Sequence, residues 1–373
     1  MTKSEFLREA IKIIAPGTEF RQGIENILNA RTGALLVLMN EEDCQEWSPI
    51  IQPGFHVNCE YSPQRLYELV KMDGAVIVNK EISKILYANV QLAPDPTIAT
   101  SETGMRHRAA ERLSKQIERM VVAISRRRSL VTIFWGSFRY VLNELNLLII
   151  KVNQALNAIE KYRYSYNRWV LDLDVMEITK RVTLVDLLRA LEKAIRALKM
   201  GKEMEPYLWE LGVDGRLAKM QLEELLESLQ EDVEMLIMDY YNDELPIQEQ
   251  ECREVLDRMM QLTEKDLRDY GKIVTCLGYP SDGSIFEQRV IPKGFRVLRN
   301  TPKIPMSIAY NVVRRYHNLN ELATSTSREL QEVEGIGEKR AKAIVEGLES
   351  LRLKANIQKY PPIGEPEQSI EKG

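Results

Sequence analysis

The stretch SETGMRHRAAE (101–111) places three basic side chains, Arg106, His107 and Arg108, where a helix should begin. Apolar residues at helical spacing continue from it over 105–118. The Pro-, Ser- and Thr-rich loop LAPDPTIATSETG (92–104) leads in, with Ser101 or Thr103 as the expected N-cap. A helix N-terminus carries partial positive charge, so cations there cost roughly a few tenths of a kcal/mol. A polyanion removes the conflict, because free N–H groups, helix dipole and guanidinium forks then all favour it. From Arg106 to Arg128 eight Arg or Lys side chains face two Glu, in a chain of formal net charge −4. Arg112, Lys115 and Arg119 are read as an ordinary solvated basic face, and the helix start as a phosphate grip.

Around this helix the chain reads as α/β up to about residue 145. ALLVLM (34–39), GAVIVN (74–79), VVAIS (121–125) and LVTIFW (130–135) are short and β-branched, with Gly, Asp or Arg at their ends, and read as strands; 63–72 reads as a helix. SRRR (125–128) closes VVAIS, placing its side chains at a strand's carboxyl end, a usual ligand position in α/β folds. Asp73 stands at the entrance to GAVIVN, and Gly74 removes a side chain where a ligand could come close. Asp-Gly is also a common turn dipeptide. As a site, the Asp73 carboxylate would hold Mg²⁺ or Mn²⁺ and help deprotonate a ribose hydroxyl.

The remainder of the 373 residues changes character. From about 146 to 260 helical periodicity dominates, as in LLIIKVNQALNAIEKY and VDLLRALEKAIRALKM, the latter preceded by a capping-box-like Thr183 and Asp186. Between 222 and 251 lie eleven acidic residues and no Lys or Arg (Glu223, Glu224, Glu227, Glu231, Asp232, Glu234, Asp239, Asp243, Glu244, Glu249, Glu251), read as a solvated helical spacer that avoids nucleic acid, with an acidic partner-binding face as the alternative. Residues 271–300 read as a connector. TPKIPMSIAYNVVRRY (301–316) then lies over EGIGEKRAKAIVEGL (334–348) at an offset of 32, with Ala309 on Ala341 and Val312 on Ile344, and ELATSTSRELQEV supplies a helix between the copies. The Pro- and Glu-rich tail from about 359 reads as disordered. The expected domains are 1–145, 146–290 and 291–358, with a tail 359–373.

Composition bounds the function. Hydrophobic content of 44% and charged content of 28% are those of a soluble globular protein. The slight net acidity means that a nucleic-acid surface must be local. Cys44, Cys59, Cys252 and Cys276 form no CxxC pair, and the N-terminal stretch MTKSEFLREAIKIIAPG reads as a short amphipathic helix without an export signal, so a reduced cytosolic setting is expected. No apolar run approaches membrane-spanning length. Three histidines, His56, His107 and His317, without HExxH or a Cys/His cluster, argue against a protein-held zinc.

VEGIGEKRAKAI resembles the helix-hairpin-helix motif. Gly335 and Gly337 permit a tight turn with exposed N–H groups, Ile336 anchors it, and Lys339, Arg340 and Lys342 outweigh Glu338, an arrangement that takes nucleic-acid phosphates without reading bases. The first copy has Lys303-Ile304-Pro305 in place of the glycines and reads as mainly structural, with Arg314 and Arg315 as auxiliary contacts. DGA (73–75), TGMRHRAAER (103–112) and SRRR, in this order and followed by a helical middle and a terminal helix-hairpin-helix, resemble the DNA-integrity scanning diadenylate cyclase family over the chain to about residue 350.

That resemblance implies an α/β diadenylate cyclase domain, an all-helical middle domain and a tandem helix-hairpin-helix domain. It implies condensation of two ATP into cyclic di-AMP and two pyrophosphates with a divalent metal, a homo-octamer with cyclase domains face to face, suppression by branched DNA, and a bacterial cytoplasmic, nucleoid-associated location. Asp73 would be the metal-binding and hydroxyl-activating carboxylate. Gly74, Ala75 and Leu92 would line the nucleotide site. Arg106, His107 and Arg108 would grip phosphates, with Thr103, Gly104, Met105 and Ala109 beside them and Ser125 and Arg128 completing the phosphate side. Some members carry threonine where this chain has Met105 and Ala109, so a hydroxyl contact is missing here. The chemistry itself asks for pairing, since each 3′-hydroxyl must meet the α-phosphate of the other ATP and two equivalent sites must face across a two-fold axis. Two other readings stay open: a non-catalytic, ATP-sensing DNA-junction protein, which needs the arginines but not Asp73, and a nucleotidyltransferase acting on DNA ends, whose activity would depend on DNA.

Overall fold

The four apolar runs become strands because both of their faces are covered. In a computed structural model, which describes residues 3–359 apart from 53, 244, 282–287 and 301–303, the elements up to the first helical hairpin are α1 (Lys3–Ile14), α2 (Glu19–Asn29), β1 (Ala34–Leu38), α3 (Glu41–Glu46), β2 (Ile51–Gln52), β3 (Phe55–Glu60), α4 (Pro63–Leu69), β4 (Ala75–Val78), β5 (Lys84–Leu92), α5 (Met105–Ile117), β6 (Met120–Ser125), β7 (Leu130–Trp135) and β8 (Phe138–Val141). They build one eight-stranded sheet in the order β2-β5-β4-β1-β6-β7-β8, with β3 also paired to β5. The β1–β4 pair is parallel and the other pairs are antiparallel. Alternate side chains divide between two cores. Leu36, Leu38, Val76 and Val122 meet Phe6, Phe20 and Ile24 of α1 and α2, whereas Leu35, Val37, Ile77 and Val121 meet Ala110, Leu113 and Ile117 of α5. Each such Leu or Val removed from water stabilises the fold by about 1.5–3 kcal/mol.

Four further helical elements complete the first half of the helical region: α6 (Leu145–Ile178), α7 (Leu184–Leu211), α8 (Arg216–Leu226) and α9 (Leu229–Tyr240). They are followed by α10 (Glu249–Gln261), α11 (Tyr270–Cys276), α12 (Phe295–Asn300), α13 (Met306–Tyr316), α14 (Leu319–Thr324), α15 (Ser327–Leu330) and α16 (Glu338–Lys359). The chain divides into two compact units, Met1–Gln154 with Glu203–Gln221, and Ala155–Lys202 with Leu222–Gly373, so the division falls inside α6 and α7. Asp186 accepts from the N–H and hydroxyl of Thr183, at 3.1 and 2.6 Å, and starts α7 as its capping-box pattern predicts.

Several expectations are corrected. The N-cap of α5 is Gly104, not Ser101 or Thr103, because the chain before it is tied elsewhere. The acidic stretch is not one solvated face. Glu223, Glu224 and Glu227 are exposed, but Asp239 is 2% exposed and its carboxylate accepts the N–H groups of Gly294, Phe295 and Arg296 at 2.7, 2.6 and 3.1 Å. It thereby satisfies the N-terminus of α12. Arg296, 4% exposed, lies in the same cluster with Asp174 and Glu177, and Tyr240 donates to Glu177. Removing one partner from such a buried cluster typically costs about 3–5 kcal/mol. The connector at 271–300 therefore holds helices α11 and α12 rather than plain loop, and the segment between the repeat copies is two short helices, α14 and α15. Lys303, Glu244 and the tail from 360 lie outside the described residues.

Candidate nucleotide site and basic turn

Asp73 and the basic helix start meet in the fold. α5 buries Ala110, Leu113 and Ile117 against the sheet, which fixes the direction of its first turn. There Arg106 Nη2 donates to Asp73 Oδ1 at 3.1 Å. The Asp73 side chain is fully exposed, in the turn entering β4. Gly33, just ahead of β1, leaves room for the guanidinium, since a Cβ there would lie 2.6 Å from Arg106 Nη1. The same Cβ would lie 3.2 Å from the Ile124 carbonyl, near the end of β6. The site thus sits at the amino ends of the parallel β1–β4 pair and the carboxyl end of antiparallel β6. The carboxyl-end rule for parallel strands does not locate it, because SRRR closes an antiparallel strand.

The other predicted residues take distinct places. Gly104 caps α5 with no side-chain cap hydrogen bond among the described residues, leaving first-turn N–H groups for an anion. Thr103 and Arg108 are exposed, Ala109 is half-buried, and Met105 is 89% exposed. His107 is half-buried, edge-on to Phe134 of β7 with ring centroids 6.4 Å apart. Burial holds its imidazole below the usual range; Glu102 opposes this, and Arg139 and Arg128 add to it. Ser125 ends β6, and its hydroxyl accepts the Arg128 N–H at 3.3 Å, shaping the turn that exposes Arg126, Arg127 and Arg128. Ala75 is buried as the first residue of β4, and Leu92, the last residue of β5, packs at the edge of the α5-side core. Gly74 has a structural demand of its own. A Cβ there would lie 2.7 Å from the carbonyl carbon of Asn89, whose φ of 54° marks the irregular β4–β5 pairing.

The solvated reading of Arg112, Lys115 and Arg119 is corrected. Arg112 donates to the Ile98 carbonyl at 2.9 Å, and Lys115 to Glu111 at 2.7 Å and the Ala99 carbonyl at 2.8 Å. Arg119 donates to Asp43 at 2.8 Å and holds that carboxyl well below the usual range, against the opposing effect of burial and with help from Lys80. Glu111, Glu102 and Arg139 are the residues that the sequence reading missed. Glu111 accepts from the Thr100 hydroxyl at 2.6 Å and the Ser101 N–H at 3.1 Å, and Arg139 pairs with Glu102 at 2.5 Å. Glu102 and Arg139 lie 37 residues apart, and Glu111 reaches back across the loop to Thr100 and Ser101, so no local pattern announces these contacts.

Asp73 suits a hard divalent cation. Among the described residues no group of three His, Cys, Asp or Glu is placed to hold a metal. A single open carboxylate is the donor expected where substrate phosphates and water supply the remaining oxygens.

In the second unit, Gly335 has φ of 88°, which favours glycine, and a Cβ on it would lie 3.0 Å from Ile308 of α13. Gly337 has nothing within 4 Å of such a Cβ. Ile336 is 5% exposed and anchors the turn, whose carbonyl at Gly335 accepts from Arg340 Nη1 at 2.8 Å. Lys339, Arg340 and Lys342 are all exposed at the start of α16, with Lys342 paired to Glu338 at 2.7 Å. Arg314 and Arg315 are exposed on α13. The offset of 32 is reflected in packing, since Ala309, Val312, Ala341 and Ile344 are all buried.

A mixed sheet backed by α5 carries a basic first turn, without a side-chain cap, beside a carboxylate, an arrangement suited to the phosphates of a nucleotide. Residues 21–137 match the family described as DAC, DisA bacterial checkpoint controller nucleotide-binding, and residues 142–286 match DisA-linker, the DisA bacterial checkpoint controller linker region. Proteins named DNA integrity scanning protein DisA are similar over nearly the whole chain. That of Carboxydothermus hydrogenoformans is 43% identical, covering 95% of this chain and 99% of its own. That of Thermotoga maritima is 42% identical, covering 93% and 96%. The chain belongs to the DNA integrity scanning protein DisA family, and the resemblance read from DGA, TGMRHRAAER and SRRR holds. Among solved structures, DacA from Staphylococcus aureus is 20% identical with a TM-score of 0.29, over 38% of this chain and 89% of that one. No helix among the described residues is long and apolar enough to cross a membrane.

Proposed function

We propose that this chain is a diadenylate cyclase that joins two ATP into cyclic di-AMP with release of two pyrophosphates. The observation that carries the reading is the Asp73–Arg106 contact at 3.1 Å, at the mouth of a helix whose first turn is basic and lacks a side-chain cap. Arg106 and Arg108 bind phosphate oxygens by charge-assisted hydrogen bonds, with the first-turn N–H groups and Arg128 beside them. His107, held against Phe134, orients the same turn. Gly74, Ala75 and Leu92 line the nucleoside side; Thr103, Gly104, Met105, Ala109 and Ser125 contribute backbone or wall. Asp73 accepts the proton of the ribose 3′-hydroxyl as the hydroxyl oxygen bonds to the α-phosphorus of the facing ATP, and the bond from that phosphorus to the oxygen bridging to the β-phosphate breaks, releasing pyrophosphate. Asp73 would hold Mg²⁺ or Mn²⁺, which when bound would neutralise phosphate charge. Two such sites face each other across a two-fold axis, within a homo-octamer as in the resemblance.

The turn and helix around Gly335, Ile336 and Gly337, with Lys339, Arg340 and Lys342, are proposed as the DNA-binding hairpin of a tandem helix-hairpin-helix, taking backbone phosphates of branched DNA without sequence preference. The working place is then the bacterial cytoplasm, at the nucleoid. DNA bound there is expected to lower cyclase turnover. Titrating a four-way junction into a turnover assay should reduce the rate, with linear duplex of equal length reducing it less. A rate unchanged by saturating junction removes the sensing half of the proposal. A rate that requires DNA favours a DNA-end nucleotidyltransferase instead.

A further inference from the structure

The approach to α5 is held from both sides by side chains that are already paired within the protein. On one side Glu111, 7% exposed, fixes Thr100 and Ser101, and the Glu102 N–H donates to the Thr100 hydroxyl at 3.1 Å. On the other, the Glu102 carboxylate, with 14% of its side chain exposed, accepts from Arg139 Nε of β8 at 2.5 Å. Arg139 is the direct cross-strand partner of Phe134, so both project from the same face of the sheet. Phe134 is the ring against which His107 stands. The pair therefore clamps the chain two residues before the Gly104 cap, a cap that has no side-chain hydrogen bond of its own to fix its direction.

We propose that Glu102 and Arg139 are positioning residues, which align the Arg106–His107–Arg108 turn for a nucleotide's phosphates and balance charge beside His107 without touching the nucleotide; this rests on the nucleotide reading of the site. The charged groups facing His107 are Glu102 from the entering loop, Arg139 from β8 and Arg128 from the β6–β7 turn. On its own helix Arg106 is engaged by Asp73, Arg108 is exposed, and Glu111 is satisfied by Thr100, Ser101 and Lys115.

The pair makes an unusual prediction because its two members act on His107 with opposite sign. Glu102→Gln leaves Arg139 unbalanced, disfavours the imidazolium and moves the His107 titration to lower pH. Arg139→Gln leaves Glu102 unbalanced and moves it to higher pH. Shifts of about half a pH unit each way are expected, with the double variant returning toward wild type. The readout is ring NMR of histidine-labelled, nucleotide-free protein, in which His107 is one of three histidines and is assigned by its loss in His107→Asn. Equilibrium binding of ATP is measured on the same proteins, and each single variant should raise Kd about five- to tenfold while retaining the wild-type urea midpoint within error. Shifts of the same sign, no shift, or unchanged ATP affinity in both single variants overturns the proposal. Neither readout requires turnover, so a wild-type protein that binds ATP but makes no cyclic product would refute the cyclase reading and leave the positioning role to be judged on its own results.

Discussion

Replacing Asp73 with Asn is expected to lower cyclic dinucleotide formation about a thousandfold, roughly 4 kcal/mol of barrier. The substitution removes both an oxygen that can hold a divalent cation and the group that takes the ribose proton, while leaving a side chain of the same shape. It disturbs little else. The side chain is fully exposed and its described hydrogen bond is to Arg106, so the fold should keep its stability. Metal-free ATP binding should change by no more than about threefold, because Arg106 is released toward phosphate as its partner loses charge. DNA binding by the basic turn at 335–342, which belongs to the other compact unit, should be untouched. The checks are product quantification, equilibrium ATP binding and DNA mobility shift on the same preparation. Retained turnover removes Asp73 from the chemistry and makes it a turn residue, the role that Asp-Gly dipeptides commonly play.

The second large effect is expected at the glycine turn, where the two glycines should behave differently. Gly335 holds φ of 88° and its missing Cβ faces Ile308 at 3.0 Å. Gly335→Val should therefore strain the backbone and the packing of α13, lowering both stability and DNA affinity. Gly337 has open space where a side chain would go, and its carbonyl accepts the Ala341 N–H at 3.0 Å, opening α16. Gly337→Val should fold with an unchanged urea midpoint yet bind branched DNA at least about tenfold more weakly, some 1.4 kcal/mol, because its side chain would stand where a phosphate backbone must approach. Unchanged DNA affinity in folded Gly337→Val places the DNA elsewhere. Cyclase activity without DNA should be normal in this variant.

What could be read from sequence follows from where each segment lies. β1, β4, β6 and β7 were legible because sheet burial on both faces writes a continuous apolar run. FHVNCE, which forms β3, gives no such signal, since only Val57 and Cys59 are partly buried on an edge strand. KILYANVQL, which forms β5, is interrupted by the irregular pairing at Asn89. For the site, the arginines and histidine at the start of α5 were legible through their conflict with the helix dipole, a local effect. Gly33, Asn89, Glu102 and Arg139 owe their roles to neighbours remote in sequence. Asp239 shows the same limit in reverse: it reads as one more charge in an acidic run, and only the return of the chain at Gly294 gives it three N–H donors.

The most direct measurement is to incubate the purified protein with ATP and Mg²⁺ or Mn²⁺, without DNA, and to identify the nucleotide products by chromatography and mass. Cyclic di-AMP with pyrophosphate is the predicted result. Bound ATP with no product under either metal would contradict it and leave an ATP-sensing, DNA-binding protein in its place.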